Sequence, residues 1–190
     1  QWEALKTSHV RRARGQQALL EMAADAVRLL QEAGVPCLPI KGLAQLVASG
    51  DDYLPRDMAD VDLLLPADRI VSASRLLMAS GWGEARLPWT LTPWTYGLPP
   101  LARGENPLEL HWRLWPVGPL LPYDLPSCAA LAADAVPMPW AGVELPVPGV
   151  PAQIITVAAA MTVDALAVPL RHWADLYHLR RRLTNEGEER

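Results

Sequence analysis

The chain has 190 residues, 51% of them apolar and 20% charged, which is ample for one globular domain and short for two, so a single unit over residues 1–190 is expected. Its 17 Lys and Arg stand against 21 Asp and Glu, a formal charge of −4, so bulk binding to long nucleic acid is not expected as the main role. No run of about eighteen apolar residues and no signal-peptide pattern occurs, which argues against a membrane partner, and Cys37 and Cys128 lack metal-ligand spacing, which points to a reduced, cytoplasmic compartment.

Trp2 to Ala33 carries the 3.6-residue spacing of a long amphipathic helix, with Leu19, Leu20, Met22, Ala23, Ala26, Val27, Leu29 and Leu30 on its apolar face and Gly34 as its stop. Arg11, Arg12 and Arg14 read as a solvated face of it, as do Arg171 and Arg180 to Arg182 near the end of the chain, with contact to phosphate or an acidic partner as the alternative. The chain starts at Gln1 without an initiator methionine, so a processed fragment is expected, with missing flanks that could carry partner or acceptor specificity. Val35 to Ile40 reads as a short buried strand running into Lys41-Gly42 and then an apolar-periodic helix from Leu43 to Val47. Strand, glycine turn and helix can cradle phosphate: glycine lets backbone approach a ligand, the helix N-terminus offers N–H groups, and Lys41 adds a mobile charge. Lys-Gly alone is also an ordinary turn.

Within Pro55 to Pro66, Asp60 and Asp62 stand two residues apart in an apolar run. On a strand both project to one face while Val61 and Leu63 take the other. Like charges so close raise each other's pKa unless a divalent metal or a cationic side chain offsets them, and Mg²⁺ held by one or two carboxylates and completed by substrate phosphates is a common solution. A strand end whose acids merely face water is the alternative. Pro66-Ala67-Asp68 opens the next helix, Arg69 to Ala79, closed by Ser80-Gly81. Trp82 to Leu98, rich in Trp, Thr and Pro, reads as a strand plus a hairpin arm, and Arg103 to Asn106 as a turn into the next strand.

That strand, Asn106 to Leu114, alternates Leu108, Leu110, Trp112 and Leu114 against Glu109, His111 and Arg113. Paired beside the Asp60/Asp62 strand it would bring in Glu109 as a third carboxylate; otherwise it is an amphipathic strand with a solvated face. Nineteen prolines leave the middle third irregular, with short strands near Ala135 to Met138 and Val143 to Val147. Helices return over Ala152 to Val163 and Asp164 to Leu183, where Leu166, Leu170, Trp173, Leu176, Tyr177 and Leu179 repeat at core spacing. His172 and Asp175 read as structural ion partners of Arg171 or Arg180.

Lys41-Gly42, Tyr53-Leu54-Pro55, the block Arg56 to Leu65 and Glu109 to Leu114 together resemble the uncharacterised bacterial nucleotidyltransferases of the DNA polymerase beta-like superfamily, over roughly residues 15 to 180. The resemblance implies an α+β fold, a small mixed β-sheet flanked by helices with further helices at both termini, residues 35–115 forming the catalytic core and 150–184 a helical C-terminal part. It implies transfer of a nucleoside monophosphate from a nucleoside triphosphate, ATP among them, to a hydroxyl-type acceptor on a protein, peptide or small molecule, with release of pyrophosphate. Mg²⁺ or Mn²⁺ would be held by Asp60, Asp62 and Glu109, which are also the catalytic carboxylates. Lys41, Gly42, Arg56 and His111 would make up the nucleotide- and phosphate-binding set, with Arg56 bracing the acids or touching a phosphate and His111 positioning the acceptor. The chain has Lys-Gly where the wider superfamily has Gly-Gly or Gly-Ser, and Ala158 to Thr162 where relatives have a histidine. Two other readings stand beside this one: a catalytically degenerate nucleotide-binding module and a metal-dependent phosphohydrolase.

Overall fold

The N-terminal apolar periodicity forms helix α1, Trp2–Glu32, in a computed structural model that describes residues 2–50, 58–84, 97–114, 126–163 and 169–188. Its second half alone enters the core, through Leu19, Met22, Ala23, Ala26, Val27 and Leu30. Gly34, at φ 66°, ends it, and the Val35 N–H closes back on the Leu30 carbonyl at 2.8 Å.

Of the expected strand Val35 to Ile40, only Leu38–Pro39 (β1) pairs, at the sheet edge and antiparallel to β2, Val61–Leu64. Pro36 and Pro39 have no N–H to give a ladder, so the strand stays short and peripheral. The elements α2 (Lys41–Ser49), α3 (Ile70–Ala79), β3 (Gly83–Glu84), β4 (Leu101–Arg103) and β5 (Asn106–His111) follow. Among the described residues one sheet runs β1-β2-β5-β4-β3, with β2 and β5 parallel at its centre and every other pair antiparallel. This is the mixed sheet of an α+β fold.

Parallel neighbours need a crossover, and here it includes α3, which packs with α1 on the apolar side of the sheet. Val61 and Leu63 of β2 join Leu108 and Leu110 of β5 in one buried cluster with α1 and α3 residues such as Val27, Leu30, Ala73 and Leu77. Strand alternation therefore assigns Asp62, Glu109 and His111 to the opposite face.

The second half adds α4 (Cys128–Ala132), the hairpin β6 (Val136–Trp140) with β7 (Val143–Val147), α5 (Val150–Val163) and α6 (Leu170–Glu188). The hairpin turns on Ala141 and Gly142, both at positive φ, the two-residue turn whose twist suits paired strands. Helix α4, which carries no long periodic pattern, was not expected; Ser127 caps it by accepting from the Ala130 N–H. In α5, Ala159 packs with Leu38, Ile40 and Leu64, so the alanine-rich stretch is a close-packing surface under β1 and β2.

Helix α6 packs Leu176 and Leu179 of the expected face and corrects the rest. It starts at Leu170, after Pro169, not at Asp164, and it turns His172, Asp175 and Leu179 inward while Leu170, Trp173 and Tyr177 are 86%, 57% and 59% exposed. Leu166 lies outside the described residues, as do the segment 51–57 and the proposed hairpin arm at 85–96. Among the described residues no helix is long and apolar enough to cross a membrane. Cys37 is buried, and burial, with a smaller contribution from Cys128, pushes its thiol up to about 12, as suits an inert packing residue.

Candidate active site

Two adjacent parallel strands build the site. The register sets Asp62 opposite Glu109 and Leu64 opposite His111, so the side chains of Asp62, Glu109 and His111 share the face away from α1 and α3. One ligand atom from each of these three lies within 4.8 Å of the others. Asp60 precedes β2 by one residue and is outside this tight group, yet close enough for electrostatic coupling to both Asp62 and Glu109.

Lys41 enters from the other side of β2. Its backbone takes the left-handed conformation, φ 52°, at the junction of β1 and α2, and its Nζ donates to Asp62 Oδ1 at 2.5 Å. This alters the expected strand, glycine turn and helix: the bend falls on Lys41, and Gly42 is a buried residue of the first turn of α2. The helix has no side-chain cap at its N-terminus. The same Asp62 Oδ1 lies 2.8 Å from His111 Nε2, which is also 3.3 Å from Glu109 Oε2. With two carboxylate oxygens as its neighbours, Nε2 is the protonated, donating nitrogen.

The charges follow from that geometry. Burial works to raise the Asp62 carboxyl, but Lys41 and His111 outweigh it and hold the group below the usual carboxylate range. For His111 burial opposes the charge, while the hydrogen bonds to Asp62 and Glu109 more than compensate, so its pKa is raised. For Asp60, burial first, then the charges of Asp62 and Glu109, lift it to about 6, against the weaker pull of Lys41 and Arg171. The acids are therefore not a strand end facing water, and the Glu109/His111 face is not a solvated one, since His111 is 2% exposed.

The carboxylate oxygens of Asp62 and Glu109, with Asp60 beside them, form a hard-oxygen set that fits a divalent cation such as Mg²⁺ or Mn²⁺. Among the expected site residues, Lys41, Asp62, Glu109 and His111 are brought into contact and Asp60 stands beside them; Arg56 lies outside the described residues.

Two contributors escaped sequence reasoning. Gly97 bridges to His111 across the sheet, and a Cβ there would lie 2.7 Å from the Leu110 carbonyl oxygen and 3.1 Å from His111 Nδ1, so only glycine allows that approach. Its signal is faint, because a lone glycine after a Trp- and Pro-rich stretch reads as a loop. Arg171, taken as part of a solvated basic run, lies at the start of α6 within electrostatic reach of Asp60.

Comparison with known proteins agrees with this architecture. The profile of a family described as "Uncharacterised nucleotidyltransferase" matches residues 2–189. No curated protein matches the sequence. Among solved structures, ANT(2″)-Ia in complex with adenylyl-2″-tobramycin is similar in fold, with a TM-score of 0.60 at 16% identity over 90% of this chain and 92% of that one. The solution structure of the antibiotic-resistance factor ANT(2″)-Ia is similar with a TM-score of 0.61 at 14% identity, over 90% of this chain and 86% of that one.

Proposed function

The chain belongs to the uncharacterised nucleotidyltransferase family, and from that premise we propose that it moves a nucleoside monophosphate from a nucleoside triphosphate to an acceptor hydroxyl, with Mg²⁺ or Mn²⁺ as cofactor and pyrophosphate as the second product. The observation that carries this reading is the in-register pair Asp62 and Glu109 on adjacent parallel strands, with Asp60 beside them and Lys41 at the same carboxylate.

Asp60, Asp62 and Glu109 would hold the divalent ions, which when bound supply Lewis-acid activation of the acceptor and neutralisation of phosphate charge. Glu109 is more exposed than Asp62, which suits it to orient the acceptor hydroxyl and draw its proton as the oxygen attacks the α-phosphorus. Lys41 and the uncapped start of α2 would receive the phosphates, with Gly42 in that first turn. His111, fixed between Asp62 and Glu109, keeps both carboxylates in place and is the polar group next to the acceptor side. Arg56 would brace the acids or contact a phosphate.

The acceptor is a hydroxyl of a protein, a peptide or a small molecule. Because ANT(2″)-Ia is seen with an adenylylated tobramycin, aminoglycosides belong first in the acceptor panel. The test is calorimetric titration of ATP, GTP, CTP and UTP with Mg²⁺ or Mn²⁺ into the wild type and into Asp60→Asn/Asp62→Asn. Metal-dependent binding of at least one nucleotide, lost in the double variant, is expected. A folded wild type that binds none would remove the basis for the reading. Binding with no transfer to any acceptor would favour the degenerate nucleotide-binding module, and release of free monophosphate a phosphohydrolase.

A further inference from the structure

In the cluster that could hold a divalent ion, one Asp62 oxygen is already engaged by two nitrogen donors. Asp62 Oδ1 accepts from Lys41 Nζ at 2.5 Å and from His111 Nε2 at 2.8 Å, and the carboxylate is 5% exposed. A buried carboxylate without a counter-charge is strongly unfavourable, so the nucleotide-free site must supply a cation of its own. An ammonium and a divalent ion cannot share one oxygen at these distances, because repulsion between them grows as water is excluded. Entry of a metal at Asp62 Oδ1 therefore requires one of the two nitrogens to leave.

The two differ in freedom to move. The His111 side chain is 3% exposed, donates to two carboxylates and is backed by the Gly97 backbone at a spacing that leaves no room for a Cβ. The Lys41 side chain is 26% exposed and is a four-carbon stem with a compact charge at its end, attached at the first residue of α2, where phosphates find backbone N–H groups.

We propose that Lys41 is the resident cation of the metal site: its ammonium holds the metal position on Asp62 in the nucleotide-free protein and passes to the triphosphate when the metal–nucleotide complex enters. This rests on the nucleotidyltransferase reading of the same site and adds an order of loading. Free divalent ion competes with Lys41 and binds weakly, whereas the metal–nucleotide complex brings both the replacement cation for Asp62 and the anionic phosphates that take Lys41. The occupant selected is thus the complex, not the bare ion.

The test is Mn²⁺ binding by electron paramagnetic resonance to nucleotide-free wild type, Lys41→Met and Lys41→Arg, followed by the same titration with a nucleoside triphosphate present. Without nucleotide, Lys41→Met is expected to bind Mn²⁺ about tenfold more tightly than the wild type, since a competing unit charge is gone, while Lys41→Arg stays at the wild-type level. With nucleotide, Lys41→Met is expected to lose most of the gain in Mn²⁺ affinity that nucleotide confers on the wild type. Equal or weaker Mn²⁺ binding by Lys41→Met overturns the proposal, because a lysine that merely braces Asp62 would leave the site poorer when removed. Should Lys41→Met not fold, Lys41→Gln is titrated in its place against the same criterion. A wild type that binds metal–nucleotide complex normally, with no gain in Lys41→Met, sinks the resident-cation proposal alone; a wild type that binds neither metal nor nucleotide sinks it together with the nucleotidyltransferase reading.

Discussion

The central strand pair and the C-terminal helix respond oppositely to the same kind of sequence signal. In β2 and β5, alternation places Val61, Leu63, Leu108 and Leu110 in the core and Asp62, Glu109 and His111 at the site, as the pattern implies. In α6 the apolar spacing of Leu170, Trp173 and Tyr177 marks the outer face, while polar His172 and Asp175 are turned inward. A strand has only two faces, and parallel pairing with a neighbour of the same alternation locks which one is buried. A helix can rotate about its axis, so periodicity gives its stripe but not the direction in which the stripe points.

Breaking the strand side of this comparison gives the largest expected effect. Leu110→Ala removes a fully buried side chain from the centre of β5 and is expected to lower unfolding free energy by about 2–5 kcal/mol in urea titration, by lost burial plus a residual cavity. The electrostatics of the polar face are sharpened by Asp60. Its folded-state value, about 6, lies above its ordinary 3.8, so the folded chain favours the protonated form; that contribution is full below the ordinary value and disappears as pH rises through 6. Asp60→Asn lacks this loss, and its stability relative to wild type is expected to improve by roughly 2 kcal/mol between pH 4 and 7.5, read from paired urea midpoints. Under the proposed function metal–nucleotide binding has the opposite sign, since it would need the ionised acid, and calorimetry on the wild type should show it strengthening as pH rises through 6.

Gly97→Ala probes the support beneath His111. Its Cβ would press on the Leu110 carbonyl and the His111 ring, and the expected cost is about 1–3 kcal/mol with a shifted His111 resonance in nitrogen NMR. The smallest effect belongs to the other side of the comparison. Trp173→Ala on the outer face of α6 is expected to change stability by no more than about 0.5 kcal/mol, where a core tryptophan would cost several times that.

Much of the site was legible because it rests on local rules. Alternation puts Asp62 on one face of β2 and Glu109 with His111 on one face of β5, Asp60 standing just ahead of β2, and the order of motifs led to the nucleotidyltransferase family before any contact was seen. Lys41 reads from the sequence as a mobile charge but not as the partner of Asp62, since the contact spans 21 positions and depends on a left-handed bend at a non-glycine residue. His111 read as equally suited to a solvated face, and only the approach of Gly97 and Lys41 shows why it is buried.

The sequence by itself determined the long helix α1, the in/out alternation of the two central strands, the stop at Gly34 and the family. These follow from side-chain period, backbone permissiveness and motif order, all carried by residues near one another in the chain. The tertiary structure alone decided the parallel register that sets Asp62 against Glu109, the rotation of α6, and the capture of Asp62 by Lys41 and His111. Each of those is a choice among arrangements of similar local energy, and it is made by packing and charge between segments far apart in sequence.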